Sequence, residues 1–443
     1  MTNQIQSALQ EGLEAIQLFD VHTHLDAAHL SARGLHDVLL YHMLVSDLAS
    51  AGCPSRERLS AEPDEAEVEA RLVEAIPYLK YVQNTSIFWG AKIILRDLYG
   101  WNEPVTLENW KRLDAIIRGR SAQSTRPEEI LQKAGVRRAC TELWRRREGQ
   151  HDKLLQYSLE WAFFTRSQWG VNDIPLYELE RACNQPSPAS PLPVTLGSGR
   201  AQLMRTIRTL DDVHTAVRHY VERIPYAEII STAQHISTDI NYRIMNDDEM
   251  KAALVHRECA SPADRDVYAS YILELFLTEL EQHASEIVYQ FSIGAEPLPF
   301  ETGSKLRQET IFELAAIIAK HPGLRFQAFL SNEHTNQSLC TLARELPNLS
   351  LAGYWWHNFF PGAIRKVISD RLDMLAANQQ VGFFSDAYCL DWTYAKAVLV
   401  RKQWADVLAQ KVEQGQFSIS EALSVARQIL YETPQTLVGM KSK

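Results

Sequence analysis

The 443-residue chain lacks the features that mark several large classes of protein. It has no apolar run of about 20 residues, the length that a bilayer-spanning helix needs, so we expect no membrane segment. Its first residues show no basic region followed by an apolar stretch, so we expect no secretory signal. Basic residues are in deficit, with 45 lysines and arginines against 55 acidic residues. The net charge of −10 disfavours nucleic acid as a partner, because contact with phosphates requires a surplus of positive charge.

Cysteine is scarce and scattered. The six cysteines form neither a CxxC pair nor a zinc-knuckle pattern. A chain of this length can bury a large core without covalent cross-links, so we expect reduced thiols and a cytoplasmic location. The acidic total does not exclude an acidic small-molecule substrate, since one arginine or a metal ion can reverse the field inside a cleft.

Short apolar or β-branched runs recur along the chain, and most precede a helical pattern. Eight of them are predicted to be strands: 16–21, 136–141, 193–196, 227–232, 287–293, 324–330, 349–355 and 380–384. In the second half, strands and helices alternate with short connections, which is typical of a parallel sheet. Eight strands in this order favour closure into a (β/α)8 barrel. An open doubly wound sheet is the alternative if the weak run at 193–196 is not a strand.

The gap between the first two predicted strands is far longer than one crossover helix needs. We therefore divide the chain into a first strand with its N-terminal segment at 1–29, a mostly helical insertion at 30–126, and the remaining barrel at 127–443. An insertion after the first strand would lie over the C-terminal ends of the strands, where barrel enzymes place their active sites.

The segment DVHTH at 20–24 ends the first predicted strand. Residues i and i+2 of an extended segment project to the same side, so the two imidazoles of His22 and His24 can bind one metal ion. Asp386 ends the eighth strand, the neighbour of the first in a closed barrel. We predict one divalent metal ion, with zinc as the first choice, bound by His22, His24 and Asp386. The alternatives are structural histidines and a helix N-cap at Asp386.

These motifs resemble the uronate (glucuronate) isomerase family of the amidohydrolase superfamily. The resemblance extends over nearly the whole chain and is sharpest in four segments: YQFSIGA (289–295), GYWWHN (353–358), FFSDAY (383–388) and KVEQGQFS (411–418). It implies a (β/α)8 barrel, a homo-oligomer, and a metal-dependent aldose–ketose isomerisation of a hexuronate, of the glucuronate-to-fructuronate type.

The chain departs from the family at positions that bear on the substrate. Family members carry histidine where Ser292 stands, an Asp-His pair where this chain has Gln234-His235, and arginine where it has Tyr388. In the family, that arginine is expected to contact the substrate carboxylate. Gln234 cannot act as a base, and Tyr388 cannot form a bidentate pair with a carboxylate. The departures indicate that the predicted ligands His22, His24 and Asp386, called the metal group below, are retained. The pocket for the sugar acid beside them is rebuilt.

We predict that Asp386 and His235 carry out the proton transfers. Six further residues are predicted to contact the substrate: Trp355, Trp356, Ser292, Gln234, Tyr388 and His42. Two other functions are compatible with the same residues. One is a metal-dependent hydrolase or lyase of the superfamily, in which Asp386 acts as general base toward water. The other is a sugar-acid-binding relative with impaired catalysis.

Overall fold

The structure is a computed structural model. It describes residues 2–56, 59–60, 62–147, 153–160, 175–184, 206–236, 241–297, 302–304, 306–355 and 359–437. The strands are β1 (Leu18–Asp20), β2 (Val136–Glu142), β3 (Leu155–Glu160), β4 (Ser231–Ile236), β5 (Val288–Ile293), β6 (Ala295–Pro297), β7 (Thr302–Ser304), β8 (Arg325–Leu330), β9 (Leu349–Ala352) and β10 (Gln380–Val381). The helices are α1 (Thr2–Glu14), α2 (Leu35–Leu39), α3 (His42–Ser50), α4 (Glu65–Ala75), α5 (Ser86–Tyr99), α6 (Trp110–Ser121), α7 (Arg126–Ala134), α8 (Pro175–Asn184), α9 (Leu210–Glu222), α10 (Asp247–Val255), α11 (Pro262–Ala284), α12 (Gln308–Lys320), α13 (Asn336–Glu345), α14 (Pro361–Met374), α15 (Leu390–Glu413), α16 (Ile419–Arg427) and α17 (Thr433–Leu437).

Eight parallel strands form one curved sheet in the order β1-β2-β3-β4-β5-β8-β9-β10, while β6 and β7 form a separate hairpin. Backbone hydrogen bonds just beyond β1 and β10 join the two ends of the sheet. The amide of Asp386 donates to the carbonyl of His22 at 3.0 Å, and the amide of His24 donates to the carbonyl of Ala387 at 2.9 Å. The sheet therefore closes on itself, and the predicted (β/α)8 barrel is confirmed.

The interior of the barrel is filled by an apolar cluster that is distinct from the larger core between strands and helices. Its buried members are Phe19, Val21, Phe329, Ala352, Trp355, Val381 and Phe384. The strand register places Phe329, Ala352 and Val381 side by side on one face of the sheet. Because helices cover the opposite face, the strands are buried on both sides, which explains why most of them are recognisable as apolar runs.

Six helices, α2 to α7, lie between β1 and β2. The range predicted as a mostly helical insertion, 30–126, contains α2 to α6, and α7 begins at its last residue. Helices α5 and α7 both pack against α15, which follows β10. The insertion thus contacts the element that follows the last barrel strand. The division of the chain into 1–29, 30–126 and 127–443 stays a prediction.

The third barrel strand is Leu155–Glu160, and the run at 193–196 lies outside the described residues. The prediction of that run as the third strand is therefore corrected. Leu155–Glu160 alternates apolar with polar residues, so it lacks the continuous apolar run by which buried strands were recognised. The fourth strand, Ser231–Ile236, ends four residues later than predicted. The other six predicted strands overlap the observed ones.

The connection from β2 to β3 is short. Its described part contains one 3-10 turn, Leu143–Arg145, and no α-helix. This turn lies at the C-terminal end of β2, and two of its residues, Trp144 and Arg145, line a cavity there. Across the described ranges, no helix has both the length and the apolar character needed to cross a membrane.

Candidate metal centre and adjoining cavity

His22, His24 and Asp386 converge at the C-terminal ends of two neighbouring strands. The Oδ1 atom of Asp386 lies 3.4 Å from Nε2 of His22 and 3.2 Å from Nε2 of His24. One ligand atom from each residue lies within 4.8 Å of the other two. The structure therefore brings together the three residues that the sequence predicted as metal ligands, although His24 and Asp386 are distant in the chain.

The surroundings of this group fit a cation. Oδ1 of Asp386 is buried, and the two imidazole nitrogens at 3.4 and 3.2 Å are not aligned to donate a well-formed hydrogen bond to it. A buried charged oxygen without a well-aligned donor is unfavourable by roughly 1–3 kcal/mol, and a cation between the three side chains would remove that cost. Two imidazole nitrogens and one carboxylate oxygen form a donor set that zinc and other transition metals accept. The group therefore suggests a bound metal.

Glu142, the last residue of β2, fixes the ring of His24. Its Oε1 lies 2.7 Å from Nδ1 of His24, which directs Nε2 of the ring toward Asp386. Its Oε2 lies 2.6 Å from Nε of Arg145 and accepts from the hydroxyl of Thr141 at 3.2 Å. A carboxylate behind a ligating histidine sets the tautomer of the ring and strengthens it as a donor to metal. The sequence reasoning missed Glu142, although an acidic residue ending a barrel strand was an available signal.

Neighbouring charges keep both carboxylates of this site ionised. Burial alone would raise the pKa of Asp386, but the imidazoles of His22 and His24 and the charge of Lys396 hold it well below its ordinary value. Burial likewise opposes ionisation of Glu142, whose pKa the charge of His24 nevertheless lowers to about 2. Both carboxylates are therefore in the ionised form, which is the form that attracts a cation.

The backbone of Asp386 is held in an uncommon conformation. Its φ of 53° makes it the only non-glycine residue with a positive φ in the described part of the chain. Its carbonyl accepts from the hydroxyl of Tyr41 at 3.3 Å and from Nζ of Lys396 at 3.5 Å. Lys396 also donates to the carbonyl of Ser385, and the amide of Ser385 donates to Asp20 at 2.8 Å. These bonds fix the peptide of Asp386.

Neither Tyr41 nor Lys396 was predicted from the sequence. Tyr41 comes from the insertion and Lys396 from α15, and both side chains are buried. Burial lowers the pKa of Lys396 to about 8. A lysine inside the apolar segment AKAVLV was the available signal, because a buried lysine needs a partner.

A cavity of about 380 Å³ adjoins His24 on the side of the insertion. Two predicted substrate residues line it. The ring of Tyr388 packs against His24 with 5.0 Å between centroids, and the ring of His42 lies 5.3 Å from Tyr388. Arg145 lines the same cavity. The cavity therefore gives a small molecule access to the metal group.

A larger cavity of about 620 Å³ lies at the opposite end of the barrel. It is lined by residues that begin strands, including Arg325 and Leu349, and by the C-terminal helices. Barrel enzymes place their chemistry at the C-terminal ends of the strands. We therefore assign the candidate site to the smaller cavity, which adjoins the metal group.

Three other predicted residues form a second group at the same end of the barrel. Nδ1 of His235 lies 3.1 Å from Oγ of Ser292, and the rings of His235 and Trp355 are 6.3 Å apart. Phe329 connects this group with the metal group. It pairs with Ser292 in the strand register and its ring lies 5.1 Å from that of His22.

Gln234 is not brought to either group. It pairs with Phe291 of β5, whereas His235 pairs with Ser292. Successive residues of a strand face opposite sides of the sheet, so Gln234 faces the helices while His235 faces the barrel interior. The structure therefore places Gln234 away from a substrate bound at the barrel mouth. Trp356 lies outside the described residues.

Comparison with solved structures finds isomerases. The chain superposes on a uronate isomerase from Thermotoga maritima with a TM-score of 0.79 and 14% identity, over 98% of this chain and 97% of the other. For a glucuronate isomerase from Caulobacter crescentus the TM-score is 0.80 and the identity 14%, over 100% and 95% of the two chains. For a uronate isomerase from Bacillus halodurans C-125 the TM-score is 0.67 and the identity 16%, over 99% and 97%.

The fold is that of the uronate isomerases. The likeness covers nearly the full length of each compared chain, so it includes the insertion as well as the barrel. No family model and no curated protein sequence matches this chain. At this level of identity the structural likeness shows the fold, and the resemblance noted from the motifs extends to the whole architecture.

Proposed function

We propose that the protein is a metal-dependent isomerase that interconverts the aldose and ketose forms of a hexuronate or related sugar acid, as in the conversion of glucuronate to fructuronate. One observation carries the proposal: the ligand atoms of His22, His24 and Asp386 converge at the mouth of a barrel with the uronate isomerase fold. Glu142 behind His24 supports it, because a structural histidine pair has no need of a buried carboxylate that orients one ring.

A bound divalent metal, with zinc as our first choice, would supply the positive charge that stabilises an oxyanion developing on the substrate. In the enediol route, one proton moves from C2 to C1 and another moves from the hydroxyl on C2 to the carbonyl oxygen on C1. We assign the carbon proton to His235, whose ring faces the barrel interior and contacts Ser292 at 3.1 Å. We assign the hydroxyl proton to Asp386, whose Oδ1 lies 3.4 and 3.2 Å from the two imidazoles at the mouth of the barrel.

The apolar floor beneath the site supports the same chemistry. Phe329 and Phe384 pack at 4.7 Å between ring centroids, and both contact the ring of His22. This floor excludes water from beneath the reacting carbons, which strengthens electrostatic interactions in the site.

The test combines metal analysis with turnover. Purified protein should contain close to one divalent metal per chain and should convert glucuronate or galacturonate to the keto acid. His24→Ala and Asp386→Ala should lose both metal and turnover. Glu142→Ala should weaken metal binding by about 10- to 100-fold, the usual effect of removing the partner of a ligating histidine. Glu228→Ala, which removes an exposed carboxylate paired with Arg146, serves as the control.

Two results would contradict the proposal. Protein without stoichiometric metal after purification in metal-containing buffer would remove its premise. Metal-loaded protein that converts neither uronate would exclude the isomerase and favour a hydrolase, a lyase or a binding protein of the same fold. From the family resemblance we also propose a cytoplasmic homo-oligomer, which light scattering after size-exclusion chromatography would test by its mass.

A further inference from the structure

The cavity beside His24 contains a positive charge that the metal group does not use. Tyr388, at the position where the family has an arginine, is not a basic side chain. Two other arginines line the cavity, Arg33 and Arg145. The guanidinium of Arg33 donates to both carboxylate oxygens of Asp37, at 3.0 and 2.9 Å, so its charge is compensated and its fork is occupied.

Arg145 is held in a different way. Its Nε lies 2.6 Å from Oε2 of Glu142, and its Cζ lies 4.2 Å from the ring of Trp144 and 6.0 Å from that of Tyr388. Only 17% of the side chain is exposed. Among the described residues, none forms a hydrogen bond with Nη1 or Nη2 of Arg145. The side chain is thus anchored through one nitrogen and one ring face, and its two outer nitrogens are left for a ligand.

This arrangement suits an anion with two coplanar oxygens. A guanidinium presents parallel N–H groups that match a carboxylate, and a guanidinium already fixed by stacking and by one ion pair loses little entropy on binding. Glu142 does not fully neutralise Arg145, because its single negative charge is shared with His24, which pairs with its other oxygen. The same carboxylate also sets the separation between Arg145 and the metal group.

We infer that Arg145 binds the carboxylate of an acidic substrate in the cavity beside His24, and that it replaces the arginine lost at position 388. The inference deepens the proposed function and rests on it for the identity of the substrate as a sugar acid. The carboxylate of the substrate then lies beside Arg145, on the side of Glu142 that faces away from His24. The carbonyl end of the substrate points toward the metal group.

Binding rather than turnover tests this directly. Calorimetric titration of metal-loaded protein would compare glucuronate and galacturonate with glucose and galactose, which lack the carboxylate. We expect Arg145→Met to weaken binding of the acids by about 10- to 100-fold, as for loss of a charge-assisted bidentate pair, and to leave binding of the neutral sugars unchanged. Arg145→Lys, which keeps the charge and loses the fork, should fall between.

Arg146→Met is the matched control. Arg146 is the next residue in the chain, and its Nη1 donates to Glu228 at 2.6 Å. This variant should bind the acids as the wild type does. Because Arg145 touches Glu142, the metal affinity of each variant is measured first, and the comparison is made at saturating metal. If Arg145→Met does not fold, Arg145→Lys alone still distinguishes the acids from the neutral sugars.

The outcomes separate this inference from the proposed function. Acid binding that depends on Arg145 without any isomerisation would contradict the isomerase and support the carboxylate site. Isomerisation whose KM for the acid is unchanged in Arg145→Met would support the isomerase and overturn the site. Equal affinity of the wild type for acids and neutral sugars, or no binding of the acids, would also overturn it.

Discussion

Asp386 is expected to depend on Lys396 for its ability to bind metal. Lys396→Met removes the Nζ that donates to the carbonyls of Ser385 and Asp386 and keeps a long apolar side chain. The left-handed conformation of Asp386 is unfavourable by about 1–2 kcal/mol for a residue with a Cβ. Without these donors, the peptide can therefore change to a more favourable conformation. The binding-competent conformer then falls to a fraction of roughly one-fifth to one-thirtieth, and the apparent Kd for metal rises by the inverse factor.

The measurement is competition for metal against a chelating dye, together with thermal unfolding of the metal-free variants. Lys402→Met is the matched control, because Lys402 lies on the same helix and is exposed, with its Nζ 5.3 Å from the ring of Trp89. Tyr41→Phe removes one hydroxyl donor to the same carbonyl and should weaken metal binding less than Lys396→Met does. If Lys396→Met binds metal as tightly as the wild type while Asp386→Ala does not bind it, the lysine does not hold the ligand and the reasoning fails.

Two further predictions concern stability. Gly353→Ala should lower the free energy of unfolding by about 2–4 kcal/mol, because φ is 48° and a Cβ would collide with the ring of Phe384. Unfolding in urea measures this. Gly362→Ala is the control and should not lower the free energy of unfolding, because its Cβ would meet nothing within 4 Å. Burial lowers the pKa of His321, but Glu274 and Glu281 raise it above 6.5. The protonated ring therefore stabilises the fold below pH 6.5, and this stabilisation is lost as the pH rises through the raised pKa. The difference in unfolding free energy between wild type and His321→Gln should therefore shrink as the pH rises above 6.5, and a difference that does not change with pH would contradict this assignment.

The barrel could be predicted because most of its strands are covered on both faces. Val288–Ile293 and Arg325–Leu330 are apolar runs followed by amphipathic helices, and such alternation indicates a parallel sheet. Leu155–Glu160 was missed for a physical reason. Its polar residues Gln156 and Ser158 are buried in the structure, so the segment has the burial of a core strand without the apolar composition of one.

The metal group could be predicted because its geometry follows from topology. His22 and Asp386 follow the first and last strands, and closure of a barrel makes those strands neighbours whatever the intervening sequence. The side that Gln234 faces could not be predicted in the same way. The strand was expected to end at residue 232, which placed Gln234 in the following loop, whereas the observed strand continues to Ile236 and its alternation directs Gln234 toward the helices.

The energetics of the site bear on whether the chain is an enzyme or a binding protein. Asp386 occupies a left-handed conformation, its Oδ1 is buried without a well-aligned hydrogen-bond donor, and Lys396 loses its hydration because it is buried. Each of these features opposes folding, and none is required to pack the barrel. Proteins retain such unfavourable arrangements at positions that function requires, since elsewhere a more stable residue is available by single substitution. A binding protein with no metal chemistry would have no use for an aspartate held in this way, so the strained ligand favours an enzyme.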